Sequence, residues 1–553
     1  MGAYLNPGSE SYRMAVNSAI FEDKTPMIQY LNTLINTQQR FVSVSRPRRF
    51  GKTMAADMIC AYYGQGADSR ELFAQRKLAE IPDTGLKWDT FLGSFDAIRV
   101  VMTRFVKKNK TVTEALEKMQ RLVIRDIKKA YPNQEYFNES DLIQAIEDVY
   151  SENGKQIIIV IDEWDAVFRE RPNDKEGQTE YLDFLRDLMK DNSHIALAYM
   201  TGILPIKKYG KHSALNMFTE YSMMFPRQLA RFTGFTEEEV IRECNRYGRD
   251  YHAIREWYDG YNVSDIVPPD PDHEELKKTG ESPKATRYAL YSPLSVVEAI
   301  TTGVIKDYWN QTETYEALAE YIRRDYDGLK DAVALLMDGG RLKIDTSTYQ
   351  NDMTTFHSRD DVLSLLIHLG YLGYDDEQSE VFIPNREILD EFKTSTKSEE
   401  WVSTFKAFDT SMELLNATWN RQADKVAYLI EKAHDRADNK TYHDETALSY
   451  AIRRAYIAAE KYYTILPETD AGKGFADLFL IPGPAYPDKP ALVIELKYNQ
   501  TAEGAISQIK RREYPARLEH YAGNILLVGI NYDKNASVES ADFKHHTCAI
   551  ETA

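Results

Sequence analysis

The stretch "SRPRRFGKT", residues 45–53, follows the apolar run "FVSVS" and leads into the helical pattern "MAADMICAYYG". A strand, a tight loop and a helix opening on Gly-Lys-Thr form an anion cradle. Backbone N–H groups and a helix N-terminus face the phosphates, a lysine bridges the terminal ones, and a hydroxyl holds magnesium. Gly51, Lys52 and Thr53 supply the last three parts, but Arg46 stands where such a loop usually has its first glycine. Gly-Lys-Thr alone occurs often by chance, so the reading needs a partner. "IIIVIDEWD", residues 157–165, provides it, with Asp162 and Glu163 where a buried-type strand ends. In a parallel sheet, ligands collect beyond the carboxyl ends of strands, so Asp162 and Lys52 are expected at one edge. Asp162 then positions the magnesium shell, and Glu163 orients and deprotonates an attacking water.

Outward from that loop, buried-type strands are expected at 41–45, 97–103, 157–162 and 195–201, with a helix over 112–131 between them. This alternation predicts an α/β domain with a mostly parallel sheet over residues 1–234. A helix-rich region follows over 235–392, opening on Thr236 and Glu239 as a capping box. Within it, the proline- and charge-rich residues 265–287 read as a surface excursion, and a helix near 360–369 gives way to a short hairpin. The polar stretch "KTSTKSEE", residues 393–400, reads as a linker to a last domain at 401–553.

The chain has 553 residues and a net charge of −18, which argues against a surface that clings to nucleic acid throughout. Only local basic runs remain for that purpose, "RPRR" at 46–49 and "KRREYPAR" at 510–517, and a solvated face is the commoner role for such runs. There is no long uncharged apolar run and no basic-then-apolar start, so neither membrane insertion nor secretion is expected. Three widely spaced cysteines, Cys60, Cys244 and Cys548, favour a reducing cytoplasm. His545, His546 and Cys548 lack a partner pair at ligand spacing and read as a coincidence near a frayed terminus.

A second constellation lies in "GKGFADLFLI", "ALVIELKYN" and "AISQIKRREY". Glu495 and Lys497, two apart on an apolar strand, project to one face, and Asp477 on the preceding strand reaches the same edge. Two carboxylates there suit a hard cation such as Mg2+ or Mn2+, and the lysine suits activation of water and stabilisation of phosphoryl charge. An isolated E-x-K is more often a cross-strand ion pair. The surrounding order of helix, hairpin, Asp strand, E-x-K strand and helix reverses that weighting.

Taken together, "RPRRFGKT", "VIDEWDAVF", "MTGILPIKK", "GFTEEEV", "WYDGYN", "YSPLSVVEAI" and "DYWNQT" resemble, in order, the bacterial AAA-ATPase-like proteins of the extended AAA class. These commonly carry a C-terminal domain of the PD-(D/E)XK nuclease superfamily. The resemblance implies a P-loop NTPase that binds and hydrolyses ATP with Mg2+, with an arginine-rich loop as the normal form and Arg48 or Arg49 touching phosphate. It also implies Thr201 as a polar sensor, assembly of the ATPase domain into a homo-oligomer, and Arg227 or Arg231 as a residue completing a neighbour's site. In the C-terminal, restriction-endonuclease-like domain it implies Glu445 as a further metal-side carboxylate and Gln508 as a site residue, beside Asp477, Glu495 and Lys497. Two functions stay open: a nucleotide-regulated, metal-dependent nuclease acting on DNA, or a nucleotide-controlled switch whose C-terminal domain binds nucleic acid without cutting it.

Overall fold

In the computed structural model, five parallel strands run β1 (Phe41–Ser45), β2 (Asp96–Val101), β3 (Ile157–Asp162), β4 (Ile195–Gly202) and β5 (Thr219–Tyr221), in the order β2-β3-β4-β1-β5. The structure describes the chain apart from residues 1, 67, 83–84, 207–214, 266–285, 310–313, 324–325, 351–352, 354–355, 435–444, 471–474, 484–485, 513–523 and 537–544. It also leaves out the side chains of 314–317, 399–400, 434, 445–447, 450, 467–470 and 475–477. β3 and β4 are apolar along almost their whole length because helices cover both faces of the sheet. Ile157, Ile159 and Ile161 enter one layer with Leu116, Met119 and Val123 of the helix Val112–Ala130. Ile158 and Val160 enter the other with Ala56, Ile59 and Tyr63 of the helix Lys52–Tyr63.

β2 ends earlier than the expected 97–103, because at Met102 the chain turns into the helix Met102–Val106. That turn carries Thr103 to the sheet edge. Beyond β5, the helix Glu237–Tyr247 starts on the expected capping box, in which Glu239 N donates to Thr236 Oγ1 and Thr236 N donates to the Glu239 carboxylate at 2.8 Å. The helix-rich middle also holds a small antiparallel sheet of Phe235–Thr236, Thr286–Tyr291 and Tyr261–Asp265 that the sequence did not suggest. Most of the expected excursion, residues 266–285, lies outside the described residues.

The chain forms two compact units, Met1–Tyr321 with Lys343–Phe392, and Ile322–Leu342 with Lys393–Ala553. The second unit therefore takes a helix, Leu329–Met337, from inside the expected middle region, and Leu335 joins Phe408 and Ala458 in its core. The polar stretch 393–400 is mostly helical, since the helix Arg386–Ser395 ends in it and the helix Glu399–Trp419 begins in it. Ser398 stands at the N-cap position of that second helix, so part of the polarity read as a linker marks a helix start.

In the second unit the strands Tyr463–Asp470, Phe475–Pro482, Ala491–Tyr498, Ile525–Tyr532 and His546–Thr552 form one mixed sheet in chain order. Only the Ala491–Tyr498 and Ile525–Tyr532 pair is parallel, joined by the crossover helix Ala502–Arg511. Leu492, Ile494 and Leu496 face one layer, while Val493 faces Ile506 and Ile509 of the crossover helix. Glu495 and Lys497 share the crossover-helix face by the period of two. No described helix is long and apolar enough to cross a membrane.

Candidate functional site

The order of the first sheet sets β4 between β1 and β3, so three polar strand ends meet at one edge. Gly51 takes a φ of +82° at the N-cap of the helix Lys52–Tyr63, a left-handed turn that favours glycine. Lys52 is buried, and its ammonium donates to the carbonyls of Arg46 at 2.9 Å and Pro47 at 2.6 Å. Burial lowers its pKa to about 8, against the pull of Asp165 and Asp162. Thr53 is exposed one residue on. Asp162, at the end of β3, accepts a hydrogen bond from the Thr201 hydroxyl at the end of β4. Its Oδ2 makes no hydrogen bond among the described residues and lies 3.7 Å from Arg99 Nη2. Glu163 has a φ of +55°, its N–H donates to Thr201 Oγ1 at 3.3 Å, and its carboxylate accepts from Thr103. Lys52, Asp162, Glu163 and Thr201 are thus brought together, with Thr53 following Lys52 at the start of the helix.

The arginines of the loop divide differently from expectation. Arg46 is fully buried, so it neither faces solvent nor lines a basic groove. Its Nε donates to Thr233 Oγ1 at 2.8 Å and its Nη1 to the carbonyls of Ser45 at 2.9 Å and Tyr221 at 2.7 Å. Arg49 donates to the Tyr308 carbonyl at 3.0 Å, and Arg48 is half-buried. Arg227 opens a 3-10 turn with a φ of +48°, and Arg231 lies over the Phe232 ring at 5.1 Å.

In the second unit, Glu495 and Lys497 are both buried, with Lys497 Nζ donating to Glu495 Oε1 at 3.1 Å. Gln508 Nε2 donates to the same oxygen, so the expected glutamine joins the pair. Asp477 precedes Leu478, which pairs with Ile494, and Glu495 follows Ile494, so the antiparallel register sets the two acidic positions opposite each other. The side chains of Asp477 and Glu445 lie outside the described residues. Glu445 begins the helix Glu445–Ala455, whose Leu448 and Ile452 share a core with Ile494.

Residues 8–210 match the family described as predicted AAA-ATPase, and residues 450–540 match the PD-(D/E)XK nuclease superfamily. The chain joins an AAA-ATPase-like domain to a PD-(D/E)XK superfamily domain. An Azotobacter chroococcum mcd 1 protein, described as an uncharacterized protein in the vnfD 5′ region, is 23% identical over 285 residues, 50% of this chain. That match covers 48% of its own length, so the chain spans about half of the curated relative. Cdc6p of Pyrobaculum aerophilum is similar at 10% identity with a TM-score of 0.25, over 70% of this chain and 95% of that one. The Aeropyrum pernix ORC2 protein, solved with ADPNP and ADP, is similar at 11% identity with a TM-score of 0.26, over 67% and 91% of the two chains. The ORC1 protein of Aeropyrum pernix in complex with DNA gives 13%, 0.23, 69% and 92% for the same quantities.

Three features of the first unit escaped the sequence reading. Asp165, fully buried, accepts from the N–H groups of Ile203 at 3.0 Å and Leu204 at 2.9 Å and from Arg169 Nε at 3.1 Å. It fastens the turn after β4 to the end of β3, and the i,i+4 spacing of "DAVFR" was its only signal. Gly202 is needed there because a Cβ would stand 2.7 Å from Trp164 Nε1. Arg99 on β2 bridges Asp57 at 2.8 Å and Asp162, a placement that a run of apolar neighbours conceals. The third is a cavity of about 220 Å3 beside Gly51, walled by Phe21, Met54, Met58, Phe235 and Leu294.

In the second unit the expected frayed terminus is instead a strand, His546–Thr552, paired with Ile525–Tyr532. His546 is buried on the outer strand, and His545 and His546 hydrogen-bond Glu431 at 2.9 and 2.7 Å. Against burial, which raises it, the hydrogen bonds from His546 and His545 hold the Glu431 carboxyl down at about 2. Among the described residues no three His, Cys, Asp or Glu side chains form a metal-holding group.

Proposed function

We propose that the AAA-ATPase-like domain binds and hydrolyses ATP, and that the PD-(D/E)XK domain hydrolyses DNA phosphodiester bonds with Mg2+ or Mn2+. The observation that carries this reading is convergence. Lys52, Asp162 and Thr201 in the first unit, and Glu495, Lys497 and Gln508 in the second, come from different elements and set buried charged groups at a strand edge.

Magnesium suits the first site because Asp162 Oδ2 is a buried carboxylate oxygen with no hydrogen bond among the described residues, and Asp162 acts on Lys52 at the start of the helix that carries Thr53. Asp162 and Thr53 would hold it, and when bound it neutralises phosphate charge. Lys52 leaves the loop carbonyls for the terminal phosphates, while N–H groups at the helix start face the anion. Glu163 accepts the proton of the attacking water, and Thr201 keeps Asp162 and the Glu163 backbone in register. In the second site, Asp477 and Glu495 are the hard-cation ligands, and Glu445 stands as a third carboxylate on the adjoining helix. Lys497 places positive charge where the scissile phosphate gains negative charge, and Gln508 orients Glu495. This reading takes the protein as an enzyme of the cytoplasm, assembling through its ATPase domain.

A second reading, the nucleotide-controlled switch, draws on the closed state of the loop. Lys52 is held by loop carbonyls and Arg49 by Tyr308, so nucleotide entry exchanges contacts between the loop and the middle region.

The test is cleavage of plasmid and single-stranded DNA in Mg2+ or Mn2+, with and without ATP. Metal-dependent cutting that Glu495→Ala and Lys497→Ala abolish, by about 10²-fold or more, is expected. Cutting that survives both substitutions refutes the assigned active site. ATP binding without any cutting selects the switch.

A further inference from the structure

We propose that Glu22 reads the exocyclic amine of adenine and makes the nucleotide site selective for ATP over 6-oxopurine nucleotides. This rests on the nucleotide reading and goes beyond it by naming the group that chooses the base.

A nucleotide whose phosphates sit on Gly51, Lys52 and Thr53 has the cavity beside Gly51 next to it, and we place its base there. Its walls are almost wholly apolar, so the few polar groups there fix the identity of the occupant. Three count. Lys24 is spent on its own partners, donating to the Glu239 carboxylate at 2.7 and 2.8 Å and to the Arg231 carbonyl at 2.8 Å. Glu22 is only 5% exposed, and its Oε2 pairs with Arg242 while its Oε1 makes no hydrogen bond among the described residues. The hydroxyl of buried Tyr12 likewise makes none, although its ring is stacked 5.5 Å from Phe73.

Two residues that wall this apolar cavity, Tyr12 and Glu22, each carry a buried polar atom with no hydrogen bond among the described residues, and a ligand toward which these side chains turn would complete both. One is a carboxylate oxygen, which accepts. The other is a hydroxyl, which can donate. Adenine presents a matching edge, an amine donor beside a ring-nitrogen acceptor. Hypoxanthine and guanine put a carbonyl oxygen where that amine stands, facing the carboxylate. Guanine's own pair of donors would need both carboxylate oxygens, and Arg242 already holds one. Burial, with Glu239 and Glu243 nearby and against Arg242 and Lys24, raises the Glu22 pKa to about 7, as expected for an acceptor short of donors.

The experiment measures binding of ATP, purine riboside triphosphate (hydrogen at C6), ITP and GTP to the full chain in Mg2+, by calorimetry. The wild type, Glu22→Gln, Glu22→Ala and Lys52→Ala are compared. The wild type is expected to bind ATP about tenfold or more tighter than the analogue lacking the amine. Glu22→Ala is expected to bind all four within about twofold. Glu22→Gln, which keeps an acceptor oxygen, restores part of the preference. Equal wild-type affinity for ATP and purine riboside triphosphate, both lost in Lys52→Ala, overturns the role of Glu22 and leaves the nucleotide site standing. Failure of the wild type to bind any of the four overturns the nucleotide reading itself. The comparison of nucleotides on the wild type needs no variant to fold.

Discussion

At the scale of single residues, Arg46 shows why a loop that departs from the common pattern need not be a decayed one. Its guanidinium is a buried brace whose three hydrogen bonds tie the start of the loop to Ser45, Tyr221 and Thr233. Burial lowers its pKa to about 10, so it stays charged at neutral pH. Arg46→Gly, which writes the common pattern back in, is therefore expected to destabilise the first unit by about 3 kcal/mol, because it leaves the Thr233 hydroxyl and the Tyr221 carbonyl unpaired. Denaturant unfolding measures this, and an unchanged midpoint would show that the brace carries no stability. Lys52 gives a second expectation. With its pKa lowered to about 8, the free protein sheds this proton above that pH, so nucleotide binding must take one up. Affinity is expected to fall toward tenfold per pH unit above 8. Calorimetry in two buffers of different ionisation heat reads the proton directly, and a flat affinity between pH 8 and 9.5 would contradict it.

At the scale of elements, the helix Arg386–Ser395 carries two buried carboxyls one turn apart. Glu387 accepts from Tyr308 N at 2.7 Å, Trp309 N at 3.0 Å and Ser295 Oγ at 2.9 Å. Both oxygens of Glu391 make no hydrogen bond among the described residues. Burial, with Asp307 adding repulsion, pushes both carboxyls up to about 7. A carboxyl raised from 4.5 in the folded state stabilises the fold fully below that value and loses the contribution as pH rises through 7. Stability is thus expected to decline between pH 5 and 8, and Glu391→Gln to flatten that decline and gain on the order of 2 kcal/mol at pH 8. Urea unfolding across that range decides it; a decline as steep in the variant as in the wild type would assign the slope to other groups. The elements that were legible in the sequence share one trait. β1, β3, β4 and the helix Val112–Ala130 bury runs of their own residues, so their periodicity is local, and Lys52, Asp162, Glu495 and Lys497 follow from strand ends and spacing. The brace of Arg46 was not legible because its partners lie 175 and 187 positions away. The same holds for Glu22 and Arg242, whose pairing spans 220 positions. The Tyr261–Asp265 and Thr286–Tyr291 pair was hidden because its strands flank a polar, proline-rich stretch that gave the stronger signal.

At the scale of the whole molecule, a net charge of −18 confines the proposed DNA contact to a local basic patch, so binding is expected to weaken as salt rises. Each compact unit also has a core of its own, around the parallel sheet in one and the mixed sheet in the other. Separate cores and separate sites make ligand-linked stability a way to test the assignment of both at once. A ligand that binds only the folded form at one hundred times its dissociation constant stabilises by about 2.7 kcal/mol. In scanning calorimetry of the full chain, ATP with Mg2+ is expected to raise the transition of the first unit by about 3 °C, a shift that Lys52→Ala removes. Mn2+ with DNA is expected to raise the transition of the second unit, a shift that Glu495→Ala reduces. If ATP moved only the transition that Mn2+ and DNA move, the assignment of nucleotide to the first unit would fail. If either ligand moved both transitions together, the two units would share one unfolding event, and the energy of nucleotide binding would then be available to the proposed nuclease site.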